Sequence, residues 1–374
     1  MNRLAFLFLP LIVLLVLVVP MASAQSTRIS GQVTDAETGE SLPGAHVFIA
    51  ASQLGTTTDL QGNYTLTAVP PGAHRLYVSM LGFEPAAVDT LFRARAYTIN
   101  FALSPKVFEI GEVTVEAEGD PNWAKYLKRF TKLFIGETEN AEQLTILNPE
   151  VLDFSNKLGQ FTAYASAPLE LENQALGYHV QYFLNDFTAT SNRTQYDGEP
   201  LFSELPPASE ADSEKWKTKR QTAFMGSFRH LLLALLAERS GPQGFRFYSR
   251  PGMSGSGGGP GGGSQLQRQQ RFPIDNPQSL IKPGEPADER ILDFTGFVEI
   301  AYMGETETEA FLNWQGNAGR GTPKFQTSWI NLENGPTVFD YKGDILDPYG
   351  VTFYGYLAFE RVADQVPKEY RPGR

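Results

Sequence analysis

The residues best suited to hold a metal or move a proton near neutral pH are four histidines, His46, His74, His179 and His230. None is followed by Glu at the third position, and no H-E-x-x-H pair occurs. The helical zinc sites of peptidases therefore have no basis here. Each histidine sits inside an ordinary strand or helix pattern, and zinc held by histidines distant in sequence is the alternative. The chain has no cysteine. That removes disulfides, thiolate nucleophiles, thiolate-bound metals and the acceptor thiol of a bacterial lipoprotein. Neither a G-x-S-x-G elbow nor a Walker A lysine is present. Gly257, Gly259 and Gly262 match G-x-G-x-x-G only because the run is glycine-rich; no strand precedes it and no helix follows.

Carboxylate pairs are the next chemistry to weigh. Glu170 and Glu172 fall on one face of a strand, as a glycosidase pair would need. With 42 acidic residues in the chain, such pairs also arise as an exposed polar face. Asp340, Asp344 and Asp347 flank Gly343 and could offer oxygens to Ca²⁺, but they lack the alternate-residue spacing of a calcium loop. Lys215, Lys217, Lys219 and Arg220 surround Trp216. Basic residues with an aromatic can bind nucleic acid; on an acidic chain this segment reads as a solvated turn. The sequence therefore yields no catalytic residue, no cofactor-binding residue and no metal site.

The elements that would position any site come from the whole chain. Its 374 residues are enough for two or three domains of roughly 100–200 residues each. Apolar residues make up 41 %, so sizeable cores can form. The 31 basic and 42 acidic residues give a net charge of −11. That sign argues against nucleic acid or anionic lipid as the main partner.

Met1 to Ala24 reads as a secretory signal: Arg3, an apolar run from Leu4 to Val19, then Ala22-Ser23-Ala24 before Gln25. Cleavage is expected between Ala24 and Gln25. The run is shorter than the roughly 20 residues of a spanning helix, which disfavours an uncleaved anchor.

From Arg28 to about Glu116 short strands alternate with turns. Ile29–Val33 alternates around Gly31. Pro43-Gly44 opens a strand through Ile49. Gly55–Tyr64 reads as a hairpin, with Asp59 bonding nearby N–H groups and Gly62 taking positive φ. Pro71-Gly72 closes another turn, and Leu76–Phe83 is a strand with Gly82 at its end. The last strands are expected near Tyr97–Leu103 and Glu112–Val115. The ordered pattern G-x-V-x-D, L-P-G-A-x-V, G-T-T-T-D-x-x-G-x-Y, V-P-x-G and L-x-V-S-x-x-G-F resembles the carboxypeptidase regulatory-like domain of Bacteroidota envelope proteins. The resemblance implies a transthyretin-like antiparallel β-sandwich without catalytic activity. That domain often precedes the plug and barrel of TonB-dependent receptors, and Val107–Val115 resembles the lead-in strand.

Asp120-Pro121 is expected to start a helix, with Asp120 as N-cap. Trp123, Leu127, Phe130 and Phe134 share one face, the seam by which a helix docks on a core. Segments Trp123–Gly136, Ile146–Glu150 and Pro168–Tyr178 resemble uncharacterised Bacteroidota proteins with the same first domain. Strands are expected at Gln160–Ala167, Leu169–Asn173, Tyr178–Thr190, Arg193–Tyr196, Leu201–Glu204, Ile291–Met303, Glu307–Trp314, Lys324–Asn331 and Thr352–Phe359. A second helix is expected over Thr222–Arg239. Residues 251–289 read as a flexible Gly-rich insertion.

The expected fold class is mainly β: a signal peptide over 1–24, the sandwich over 25–117, and a β-rich α+β region with two helices over 118–374. The expected function is a non-enzymatic exported envelope protein, a binding, scaffolding or assembly module of the periplasm, outer membrane or cell surface. Its partners would be an envelope protein or glycan, with outer-membrane association and no nucleic acid. The alternatives are a hydrolase of peptide or glycan with an accessory sandwich, and a divergent outer-membrane receptor-like protein.

Overall fold

The computed structural model describes residues 27–106, 121–250, 271–285, 289–316 and 324–373. The signal segment, the lead-in strand and Asp120 lie outside them. Among the described residues, no helix is long and apolar enough to cross a membrane.

The first unit is a two-sheet sandwich. One sheet pairs Thr27–Asp35 with Asn63–Val69 antiparallel, and with the short strands Ala96–Thr98 and Phe101–Leu103 in parallel. The other runs Gly55–Thr57, His46–Ile49, Gly72–Ser79, Ala86–Phe92. The strand Ala86–Phe92 was not legible in the sequence. Alternation supplies the core: Ile29 and Val33 from one sheet face Val47, Ile49, Leu76 and Val78 from the other. Gly55–Tyr64 is not a hairpin. Gly55–Thr57 pairs with His46–Ile49, whereas Asn63–Val69 pairs in the opposite sheet, so the turn carries the chain across the sandwich.

The turn residues serve that path. Asp59 Oδ1 accepts from the N–H of Gln61 at 3.0 Å and of Asn63 at 2.8 Å. Gly44, Gly62 and Gly82 have positive φ, Pro43 and Gly44 share one turn, and Pro71 leads into Gly72. Gly31 is needed for close approach: a Cβ there would fall 1.7 Å from Ile99 O.

The second unit is a six-stranded antiparallel sheet. Its order is Leu152–Lys157, Gln160–Ala165, Tyr178–Ala189, Leu169–Asn173, Leu144–Ile146, with Thr194–Glu204 alongside Tyr178–Ala189. Gly198 and Pro200 do not interrupt Thr194–Glu204; the register shift falls on the partner strand between Leu184 and Asp186. Helix α1 (Trp123–Phe134) covers this sheet. Its N-cap is Asn122, without a side-chain cap, rather than Asp120. Phe130 and Phe134 are fully buried; Phe130 packs on Phe187 at 4.8 Å and Phe134 on Tyr182 at 4.9 Å.

Helix α2 (Glu210–Phe224) occupies the segment expected to be a turn. Ser209 accepts from Asp212 N as its N-cap. The expected second helix is α3 (Phe228–Leu236), shorter than Thr222–Arg239 and separated from α2 at Gly226. It packs on a third unit. A five-stranded sheet there runs Phe272–Pro273, Phe245–Arg250, Phe297–Thr306, Phe325–Asn331, Thr352–Gly355. A three-stranded sheet runs Ile281–Pro283, Glu289–Leu292, Thr337–Asp340.

Four further segments depart from expectation. Ile291–Met303 is two strands in different sheets, parted at Gly296 with φ 72°. Glu307–Trp314 is largely a helix, α4 (Glu309–Trp314), started by Thr308, whose hydroxyl accepts from Phe311 N. Thr352–Phe359 is a strand only to Gly355 and then a turn of helix, α5 (Tyr356–Phe359). The chain expected as the later part of the insertion, 271–285, holds two of these strands and buries Leu280 in the core beside α3.

The C-terminal tail ties the units together. Ala363 N–H donates to Ile135 O at 3.1 Å, Asn173 Nδ2 donates to Ala363 O at 2.9 Å, and Lys368 N–H donates to Ala51 O at 2.8 Å.

Candidate binding cleft

The residues singled out for chemistry scatter. His46 packs edge-on against Phe183 at 5.2 Å. His179 Nε2 lies 2.9 Å from Glu170 Oε2. His230 Nδ1 accepts from Gly226 N–H at 3.0 Å, with Gln243 on its other nitrogen. Among the described residues, no group of three His, Asp or Glu side chains could hold a metal. Glu170 and Glu172 do share a face, but Glu170 is engaged by His179 and Gln181 and Glu172 by Gln174. Two of the three aspartates hold their own loop: Asp340 Oδ1 accepts from Lys342 and Asp344 N–H, and Asp347 Oδ1 from Tyr349 N–H, while the Asp344 carboxylate pairs with Lys368. The basic segment around Trp216 is a helix face. Lys217 and Lys219 pair with Glu214 and Glu139, and Arg220 is buried against the carbonyls of Leu176 and Gly177 and the Tyr178 ring.

What sequence reasoning missed is the junction. The first sandwich is docked on the second sheet. Phe48 stacks on Phe183 at 4.7 Å, and Tyr77 Oη donates to Asn185 Oδ1 at 2.7 Å. Phe202 N–H donates to Ser52 O at 2.8 Å. Arg75 is gripped twice by Asp89, at 3.0 and 3.1 Å, and reaches Glu199 at 3.2 Å. The turn glycine Gly72 has φ 137°, and a Cβ on it would fall 1.9 Å from Tyr341 Oη, so its bare backbone admits the third unit.

A cleft of about 950 Å³ opens at this junction, within the size range of small-ligand sites. The sandwich lines one wall with Arg75 and Asp89, and Thr194–Glu204 lines another. The loop through Tyr349 and the tail through Gln365 complete it. Half-buried aromatic rings face it, among them Tyr196, Trp314, Tyr349 and Phe353.

Most of the cations that line it are engaged; Arg361, next to Glu360, meets no carboxylate within ion-pair distance among the described residues. Lys132 lies 2.8 Å from Glu137, Arg193 2.6 Å from Glu333, and Lys368 2.5 Å from Asp344. Arg229 spends its guanidinium on the carbonyls of Lys342, Pro367 and Lys368, and burial lowers it to about 10. Burial pushes Asp344 up, but Lys368 and Arg229 outweigh it and hold the carboxyl low. Burial raises Glu199, against the pull of Lys368 and Arg75. At the tail end, burial and then Asp364 and Glu305 raise Glu360 well above the carboxylate range. Burial raises Asp364 to about 6 against hydrogen bonds from Asn140, Arg361 N–H and Thr138.

The sandwich defines the first unit as transthyretin-like. It is a CarboxypepD_reg-like domain, matched over residues 29–115. A stretch of 73 residues is 37 % identical to the TonB-dependent receptor P3 of Formosa agariphila, covering 20 % of this chain and 7 % of that receptor. The chain thus spans a small fraction of the curated relative it matches. Among solved structures, a putative membrane-associated protein of unknown function from Bacteroides fragilis is similar over 88 % of this chain and 95 % of its own, at 12 % identity and a TM-score of 0.18. The 5-hydroxyisourate hydrolase of Klebsiella pneumoniae is similar over 22 % of this chain and 92 % of its own, at 18 % identity and a TM-score of 0.18.

Proposed function

We propose that this chain is a non-enzymatic, exported envelope protein that binds its ligand in the junction cleft, with the CarboxypepD_reg-like sandwich as a fixed wall of the site. The observation that carries this reading is the cleft itself: a large concavity built from all three units, with aromatic side chains and charges that are mostly paired with one another. Such a lining binds without supplying a strong nucleophile or a metal. Export is supported by the leader-like sequence over 1–24 and by the stretch shared with a TonB-dependent receptor.

The test has two arms. Expression in a Gram-negative host should yield an envelope fraction whose N-terminus is Gln25; retention in the cytoplasm with Met1 intact overturns export. Titration of the purified protein with envelope glycan fragments should perturb Trp and Tyr fluorescence, and Tyr349→Ala should weaken the response.

A hydrolase of glycan or peptide is the second reading, favoured by the raised proton affinity of Glu360 and Asp364 in one cleft. Product release from either substrate class, abolished by Glu360→Gln, would establish it in place of the first.

A further inference from the structure

We propose that the tail end of the cleft, lined by Trp314, Glu360 and Gln365, is a subsite for an uncharged sugar ring of an envelope glycan. The inference rests on reading the cleft as a ligand site and adds the class of ligand.

Three observations support it. Trp314 is half-buried, packs at 5.6 Å on Phe359 and lines the cleft, so an indole held in place by neighbouring rings borders the space. The C–H face of a pyranose is apolar and packs on such a ring. Next, Gln365 Oε1 is a buried acceptor without a hydrogen-bonding partner, and the side chain lines the same wall. A buried amide oxygen left unpaired is costly, and rotation of the Gln365 amide toward the cleft would let a ligand hydroxyl satisfy it. Finally, the Glu360 carboxyl meets no hydrogen-bonding partner among the described residues, while its neighbour Asp364 is fully engaged by Thr138, Asn140 and Arg361 N–H. A protonated Glu360 offers both a donor and an acceptor, the combination that hydroxyls match.

Charge argues in the same direction. Lys132, Arg193 and Lys368 each sit on a carboxylate, and Arg75 sits on two. An anionic ligand would have to displace one of these pairs or turn to Arg361, the choice that the galacturonate arm below decides. A cationic group placed against Glu360 would have to ionise it inside the cleft.

The experiment is calorimetric titration of the mature chain with neutral hexasaccharides of glucose and of mannose, with a hexagalacturonate, and with a neutral hexapeptide. A neutral hexasaccharide should bind. Trp314→Ala should weaken it about tenfold and Gln365→Leu several-fold. Glu360→Gln, which keeps a neutral donor and acceptor, should stay within about twofold, whereas Glu360→Ala should not. Far-ultraviolet circular dichroism confirms folding, and Gln365→Leu carries the test where Trp314→Ala does not fold. Tighter binding of the galacturonate overturns the uncharged character of the sugar, tighter binding of the peptide overturns the sugar class, and either leaves the cleft as a ligand site. Equal losses in Glu360→Gln and Glu360→Ala overturn the neutral carboxyl. Absence of binding by every probe to folded protein overturns both the subsite and the cleft.

Discussion

Arg75 of the first sandwich reaches Glu199 of the second sheet, Nη1 to Oε1 at 3.2 Å, while the same guanidinium is held by Asp89 within its own unit. The arginine is therefore positioned by one unit and spent on another. The Glu199 side chain is only 12 % exposed, and burial raises its proton affinity. Removing Arg75 leaves that carboxylate with Lys368 as its remaining cationic neighbour. Arg75→Ala should cost about 1–2 kcal/mol in urea unfolding, and Glu199→Gln in the same background should recover part of it. A double-mutant cycle with no coupling would show that the contact does not join the units.

The apolar half of the junction is a separate case. Phe183 is buried and touches Phe48, His46 and Tyr77 across the boundary. Phe183→Ala should cost about 3 kcal/mol and leave a cavity between units. Hydrogen exchange should rise in His46–Ile49 and in Tyr178–Ala189 together. A rise confined to Tyr178–Ala189 would argue against docking through this ring.

His74 gives the junction a pH dependence. Burial, and then the charge of Lys342, lower it to about 4, and a hydrogen bond to Pro70 O opposes them only in part. Lys342 Nζ lies 2.8 Å from Nδ1 and 3.0 Å from Nε2, a position that disfavours a charged ring, and the Pro70 carbonyl 2.9 Å from Nε2 calls for a donor there. The unfolded chain therefore binds a proton more readily than the folded one between pH 6.5 and about 4. Stability is fully present above 6.5 and is lost as pH falls through that window, by on the order of 3 kcal/mol at most. His74→Gln keeps a donor and an acceptor without titrating. Its unfolding free energy should fall less than that of the unmodified protein between pH 7 and 4.5; parallel curves would exclude His74 as the source.

How far the sequence reached follows from what each element needs. The sandwich is legible because its turns demand Gly, Pro and Asp at fixed places, and those residues announce it. Helix α1 is legible because Phe130 and Phe134 must sit on one side. Helix α2 is not. It buries Trp216, Arg220, Ala223 and Phe224, and two of those four residues carry polar groups. Arg220 is buried because carbonyls of Leu176 and Gly177 accept from it, a reason 43 residues away in sequence. The cleft is illegible for the same reason: its walls come from segments between Ala51 and Lys368 that no local pattern connects.

Leu158 is a local misfit. It closes the hairpin between Leu152–Lys157 and Gln160–Ala165 with φ 52°, ahead of Gly159 with φ 82°, and its side chain is fully exposed. Both turn residues with positive φ make the mirror-image turn that favours Asn-Gly. A leucine there gains no burial and bears the left-handed strain. Leu158→Asn should raise stability by about 0.5–1 kcal/mol, seen as a higher melting temperature. A lower one would mean that the leucine has a packing partner in solution.

The deepest charges at the junction meet at Lys368. Lys368 sits 2.5 Å from Asp344; burial disfavours its charge, but Asp344, then Glu199 and Asp340, outweigh burial and raise its proton affinity. Its own N–H reaches Ala51 O in the first sandwich, so the backbone places the ammonium where three carboxylates converge. Asp340 is already pushed up by burial and by Asp344. Lys368→Met keeps the stem and removes the charge, leaving Asp344 with Arg229 as the main cation acting on it and raising Asp340 further. The cost should be about 2–4 kcal/mol, since removing one member of a buried pair strands the other. Asp344→Asn in the same chain should restore part of that loss, because the remaining carboxylates then repel less. If Lys368→Met is neutral in urea unfolding, the ammonium is solvated and the tail does not lock the first sandwich in place.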